Sequence, residues 1–189
     1  MPGSTLLWTI LKEHKDIFFS TNPEKEINYF SYDELADNSY YKDYKVRTEK
    51  DYFKVFLKGQ SAKYLADGSV SYFAYPSVPK KLYEFNPKAK IIIIVRDPIQ
   101  RAFSHYNMDK RMGYAKESFS DYLINKNNNY GKFIHQYIEN SLYYKHTNNF
   151  LSYFGKDQLF ILQLEEINSE LEKLYKFLDI DKLEFKENH

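Results

Sequence analysis

Arg96 and Ser104, with the residues between them, form the strongest chemical grouping in the chain. A guanidinium and a hydroxyl together suit a phosphate monoester, because Arg supplies charge-assisted, often bidentate bonds and Ser adds one short donor. Residues 80–111 hold eight Lys/Arg against three Asp/Glu, a local +5 on a chain whose net charge is +1. The second grouping is Gly3-Ser4-Thr5, which opens an apolar stretch. There, backbone N–H groups and two hydroxyls would converge on an anion at the positive end of a helix. Each grouping also has a plainer reading. An Arg-Asp pair at a strand end often only caps a helix, and Ser4 is an ordinary helix cap.

The elements that must position these residues follow from the pattern around them. Ile91 to Val95 is a run of five β-branched residues without polar alternation, the mark of a strand buried on both faces. Asp97-Pro98 reads as the N-cap and first residue of a helix. Ile99, Ala102, Phe103 and Tyr106 supply its apolar stripe, with Arg101, Ser104 and His105 flanking it. Arg96 thus stands directly beyond the carboxyl end of a strand, where ligands bind in open α/β sheets.

Leu6, Leu7, Ile10 and Leu11 predict a helix over 4–14. Residues 15–52 are mixed and polar and suit loops with short helices. The run Tyr52-Phe53-Lys54-Val55-Phe56-Leu57 is a strand candidate ending at Gly59. Ser77-Val78-Pro79 begins a short helix that Asn86-Pro87 ends. A long helix is expected over 131–153, a buried strand at Leu159-Phe160-Ile161-Leu162 and a last helix over 171–178. Strands alternating with helices imply an α/β fold with a mainly parallel sheet. Neither a repeat nor a linker divides residues 1–189, so a single domain is expected.

The wording of the strand–helix segment adds a resemblance. Arg96-Asp97-Pro98-Ile99-Gln100-Arg101-Ala102-Phe103-Ser104-His105-Tyr106 closely resembles the 3′-phosphate motif of sulfotransferases that use 3′-phosphoadenosine 5′-phosphosulfate (PAPS). That motif reads Arg-Asp-Pro, any two, Arg, any two, Ser, any, Tyr. By this resemblance Arg96 and Ser104 hold the 3′-phosphate. Residues 3–17 look like the family's loop and first helix followed by His-Pro-Asp-Ile, which makes Gly3, Ser4 and Thr5 the cradle for the 5′-phosphosulfate. Glu24-Lys25-Glu26-Ile27-Asn28-Tyr29-Phe30 resembles the segment Lys-Glu, two residues, Phe-Phe, whose Glu is the general base in the glycan-modifying branch; Glu26 matches it. Glu24 and His14 are weaker alternatives.

The resemblance implies a three-layer, P-loop-NTPase-like parallel sheet flanked by helices, closest to the carbohydrate or heparan-sulfate type and lacking its first strand. It implies transfer of a sulfuryl group from PAPS to a hydroxyl or amine, on a carbohydrate. Gly59-Gln60-Ser61-Ala62-Lys63-Tyr64-Leu65 looks like a degraded form of the segment lining the acceptor cleft, with Lys58 and Lys63 as possible contacts to an acidic acceptor. The chain departs from the pattern in one place that bears on turnover. The family's loop Lys falls on Met1, and the strand leading into the loop and the basic glycine-containing loop expected after residue 189 are both missing. A preorganised cation at developing charge is worth on the order of a few kcal/mol of barrier. Either the sequence is a truncated piece of such a domain, with its loop completed upstream, or it is an impaired relative that binds nucleotide or glycan without turnover.

Other classes find little support. With no cysteine, this sequence has no disulfide and no thiolate chemistry. The five His are scattered, so no metal site is expected. A kinase-like transferase is disfavoured, since no Gly-Lys-Ser/Thr follows the loop. The near-zero net charge gives no bias toward nucleic acid. There is no apolar run of roughly 20 residues for a membrane span and no signal-peptide pattern, which predicts a cytoplasmic protein. PAPS, its product adenosine 3′,5′-bisphosphate and a glycan acceptor are the expected partners.

Overall fold

The structure is a computed structural model that describes residues 3–21, 23, 25–35, 46–124 and 136–183. In chain order its elements are α1 (Gly3–Leu11), β1 (Ile17–Phe19), α2 (Tyr32–Leu35), α3 (Glu49–Lys54), β2 (Tyr64–Ala66) and α4 (Val78–Phe85). They continue with β3 (Ile91–Val95), α5 (Pro98–Arg111), α6 (Phe119–Ile124), α7 (Tyr143–Leu151), β4 (Leu159–Gln163) and α8 (Ile167–Leu178).

All strand pairing among the described residues is parallel. β3 pairs with β4 from Ile91↔Leu159 to Val95↔Gln163, and β1 pairs with β2 from Ile17↔Tyr64 to Phe19↔Ala66. The alternation of side chains along β3 explains its unbroken apolar run. Ile92 and Ile94 face a core made by Leu7 and Leu11 of α1, Leu162 of β4 and Leu174, Tyr175 and Leu178 of α8. Ile91, Ile93 and Val95 face the opposite way, against Phe150 of α7 and Phe154 just after it. Ile17, Phe19, Tyr64 and Ala66 join the α1–α8 side, so the two strand pairs share one core. Helices thus cover both faces of parallel strands, which is the expected three-layer α/β class.

Several local expectations are corrected. The run 52–57 is not a strand. Thr48 caps α3 by accepting from the Asp51 N–H at 3.2 Å, and acidic residues fill its first turn. Tyr52 and Phe56, four apart, are buried, whereas Phe53 and Leu57 are 51% and 60% exposed. Burial repeating every fourth residue is helical periodicity, and aromatic content alone misleads here. The strand that pairs with β1 is instead Tyr64–Ala66, and β1 itself lies within the stretch read as loop.

The first helix ends at Leu11, three residues before His14. The expected long helix over 131–153 is also shorter. Residues 131–135 lie outside the described residues, a 3₁₀ turn occupies Glu139–Ser141, and α7 starts only at Tyr143. The break leaves Ser141 and the Tyr137 carbonyl free to brace α5, as described below. Among the described residues, no helix is long and apolar enough to cross a membrane.

Candidate active site

Every strand leads at its carboxyl end into a piece of the candidate site. After β1 come Lys25 and Glu26, after β2 the turn Asp67-Gly68-Ser69, after β3 Arg96, and after β4 Leu164 and Glu165. The N-terminus of α1 meets the last of these, since a β-carbon built on Gly3 would lie 2.8 Å from Leu164 Cδ2. Next in sequence, the Glu165 carboxylate accepts from the Asp97 N–H at 3.1 Å. The predicted 5′ loop and the Arg-Asp-Pro turn are thereby joined across the end of β4. This is the place where ligands bind in parallel α/β folds.

The Arg-Asp-Pro turn is built by local rules. Asp97 caps α5 by accepting from the Gln100 N–H at 2.7 Å, and Pro98 fills the first helical position. Tyr143 Oη accepts from the Arg96 N–H at 3.4 Å. The Arg96 guanidinium lies along the first turn of α5, donating to the Gln100 and Arg101 carbonyls at 3.2 and 3.3 Å. It lines a groove of about 660 Å³ with Phe103, Ser104, Lys110 and Arg111. Ser104 is exposed within that groove. A cation and a hydroxyl therefore share one open, positively charged face.

The second motif Arg works differently. Arg101 donates from Nε to Ser141 Oγ at 2.7 Å and from Nη2 to the Tyr137 carbonyl. Burial, reinforced by neighbouring Arg96, pulls its pKa down, while Tyr143 opposes the shift. Arg101 thus fastens α5 to the 137–141 turn. His105 faces inward as well, 3.7 Å from Asp109 Oδ2, an oxygen that also accepts from Tyr137 Oη at 2.9 Å.

The segment carrying Glu26 is clamped from below. Its neighbour Lys25 accepts from the Gly68 N–H at 3.1 Å through its carbonyl, and the Asn28 N–H donates to Ser69 Oγ at 2.8 Å. Asn28 is buried and sits at φ 56°, a left-handed conformation that Asn tolerates better than most residues. Its side chain donates to the Glu26 carbonyl at 3.1 Å. The Glu26 carboxyl is about a third exposed and meets Lys25 Nζ at 3.5 Å. Burial holds its pKa above the ordinary Glu range, and the charge and hydrogen bond of Lys25 only partly offset this.

The family follows from comparison. The profile of the sulfotransferase domain matches residues 3–188. The chain belongs to the sulfotransferase family. It is 30% identical over 120 residues to mouse (Mus musculus) heparan sulfate glucosamine 3-O-sulfotransferase 5, covering 59% of this chain and 35% of that protein. It is 25% identical over 214 residues to the Drosophila melanogaster bifunctional heparan sulfate N-deacetylase/N-sulfotransferase, covering 99% of this chain and 19% of that one. The chain therefore spans about a third or less of the length of these relatives. In fold it resembles the crystal structure of a sulfotransferase from Alicyclobacillus acidocaldarius, with a TM-score of 0.82 at 24% identity over 98% of this chain and 83% of the other.

The structure places Arg96 with Ser104 in one groove, and Gly3, Ser4 and Thr5 in the first turn of α1. Lys25 Nζ reaches Ser4 Oγ at 3.1 Å and so ties that turn to the Glu26 segment. Of the other base candidates, Glu24 lies outside the described residues, as does Met1. His14 is structural: Nδ1 accepts from the Asp16 N–H at 3.1 Å, which leaves Nε2 to donate to the Asp181 carbonyl at 2.9 Å. Lys63 is likewise engaged, 2.7 Å from Asp179 Oδ2, and is not held ready for an acceptor.

Sequence reasoning passed over Lys25, although it stands in the quoted Lys-Glu pair, and it passed over Asp67. The Asp67 carboxylate accepts from the Ser69 and Tyr72 hydroxyls and from the Ile27 N–H beneath the Glu26 segment. Burial pushes its pKa up to about 6, against the lowering effect of those hydrogen bonds. The folded state then binds this proton more tightly than the unfolded chain, so stability falls as pH rises from about 4 to about 6. Asp67→Asn abolishes that contribution. Urea unfolding across this range should show wild type losing on the order of 2–3 kcal/mol relative to the variant. A difference that stays flat with pH would refute the assignment.

Proposed function

We propose that the chain transfers a sulfuryl group from PAPS to a hydroxyl or amine on a carbohydrate. Arg96 and Ser104 hold the donor's 3′-phosphate, and the first turn of α1, Gly3 to Thr5, receives the 5′-phosphosulfate. Glu26 takes the proton from the acceptor as its oxygen or nitrogen forms the new bond to sulfur. The bond between sulfur and the bridging oxygen breaks, and the electron pair leaves with adenosine 3′,5′-bisphosphate. The observation that carries this reading is the groove shared by Arg96 and Ser104 immediately after β3. It lies at the same strand ends as the α1 N-terminus and Glu26. A carbohydrate acceptor is supported by the relatives, whose names describe heparan sulfate sulfotransferases.

The test is a calorimetric titration with adenosine 3′,5′-bisphosphate. Wild type should bind it, and Arg96→Ala should bind at least about tenfold more weakly, since a charge-assisted bond is worth about 1.5–3 kcal/mol. Binding should also weaken with added salt. No binding by wild type, or binding indifferent to the substitution, would sink the reading.

A further inference from the structure

Lys25 stands between the two halves of this site that must act together. Its ammonium donates to Ser4 Oγ at 3.1 Å in the first turn of α1 and to Glu26 Oε1 at 3.5 Å. The side chain is only 17% exposed, far below what an unconstrained surface lysine shows. Its backbone is fixed too, because the Lys25 carbonyl accepts from the Gly68 N–H. Partial burial strengthens the interaction of a cation with a neighbouring carboxylate relative to the same pair in bulk water.

We propose that Lys25 is a positioning residue that links the general base to the 5′-phosphate loop, holding Glu26 ionised and aimed at the turn containing Ser4. This rests on the reading of Glu26 as the base. The same cation then faces both the group that gains a proton and the turn that receives the anionic donor. Its positive charge favours the carboxylate over the carboxylic acid, opposing the burial that raises the Glu26 pKa. The charged groups around Glu26 are few among the described residues. Lys25 faces it from its own loop, and Ser4 is the polar side chain reached on α1. Asp67, the acid under this loop, bonds to Ser69, Tyr72 and the Ile27 N–H, so it stays a constant background in any Lys25 variant.

The test uses the full chain with carbon-13-labelled glutamate, the Glu26 resonance being assigned by its loss in Glu26→Gln. In Lys25→Met the titration midpoint of Glu26 should rise by about one pH unit, the scale of a single nearby charge. In Lys25→Arg, which keeps the charge, it should stay near wild type. The acid limb of kcat/KM for PAPS, with heparosan polysaccharide as the acceptor probe, should move by the same amount, a roughly tenfold loss below the limb. An unchanged midpoint in folded Lys25→Met overturns the proposal. So does an equal rise in both variants, which would point to packing and not to charge. Should wild type fail to sulfate heparosan, the transfer reading loses support while the titration still decides the role of Lys25.

Discussion

Glu26→Gln is expected to lower kcat by about 10²–10⁴-fold, the usual worth of a positioned general base, while leaving adenosine 3′,5′-bisphosphate affinity unchanged. The two effects separate because the side chain lies apart from the Arg96–Ser104 groove, on the segment that follows β1. Gln preserves the shape and can still accept from Lys25 Nζ, so the clamp around Asn28 and Ser69 should stay intact. What Gln cannot do is take a proton. The wild-type pH profile carries a second signature. Burial raises the Glu26 pKa, and the ionised form is the active one. Activity should therefore fall as pH drops through a midpoint above the ordinary Glu value of about 4.3. That limb should vanish with Glu26→Gln, leaving only a low, flat rate. A variant that kept most of its kcat would transfer the role of base to another residue.

The parts of the site that could be read from sequence are those encoded by neighbours along the chain. The stretch from Ile91 to Tyr106 contains its own strand, cap and first-turn proline, and the structure has all three where the sequence puts them, although Ile99 and Phe103 of the expected apolar stripe are 74% and 49% exposed. Gly3 to Leu11 behaves alike, since a helix start needs only a few consecutive residues. Glu26 is proposed on segment wording, and what holds it in place could not be read there. The clamp under it comes from Asp67 to Ser71, some 40 positions away, and no periodicity announces such a pairing. β1 and β2 failed for the same reason: three residues are too few to show alternation, and Ile17 finds its partner only at Tyr64. Arg101 and His105 illustrate a further limit. The helical stripe puts both beside the binding face, but only the packed 137–141 turn decides that they point to structural partners. Composition misled at 52–57, where aromatics that favour strands were recruited by a capped helix.

That distinction between the two motif arginines leads to the second large effect. Arg101→Ala should destabilise the fold by about 3 kcal/mol, whereas Arg96→Ala should leave stability within about 0.5 kcal/mol of wild type. Arg101 makes charge-assisted bonds to Ser141 and to the Tyr137 carbonyl from a partly buried position. Its truncation strips these acceptors of a donor and leaves a gap between α5 and the 137–141 turn. Tyr137 is almost fully buried in the cluster with Ala102 and Tyr106, so loosening this turn disturbs the core beneath the groove. The Arg96 guanidinium instead donates to carbonyls of α5 that already serve the helix, and it borders open space. Removing it is expected to weaken nucleotide binding and to change stability little. Urea unfolding of both variants, set beside their nucleotide titrations, resolves the pair. Arg101→Ala should lose stability, and its nucleotide affinity should approach that of wild type at low temperature, where the folded population is restored. Equal stabilities in the two variants would mean that the brace at Ser141 is dispensable.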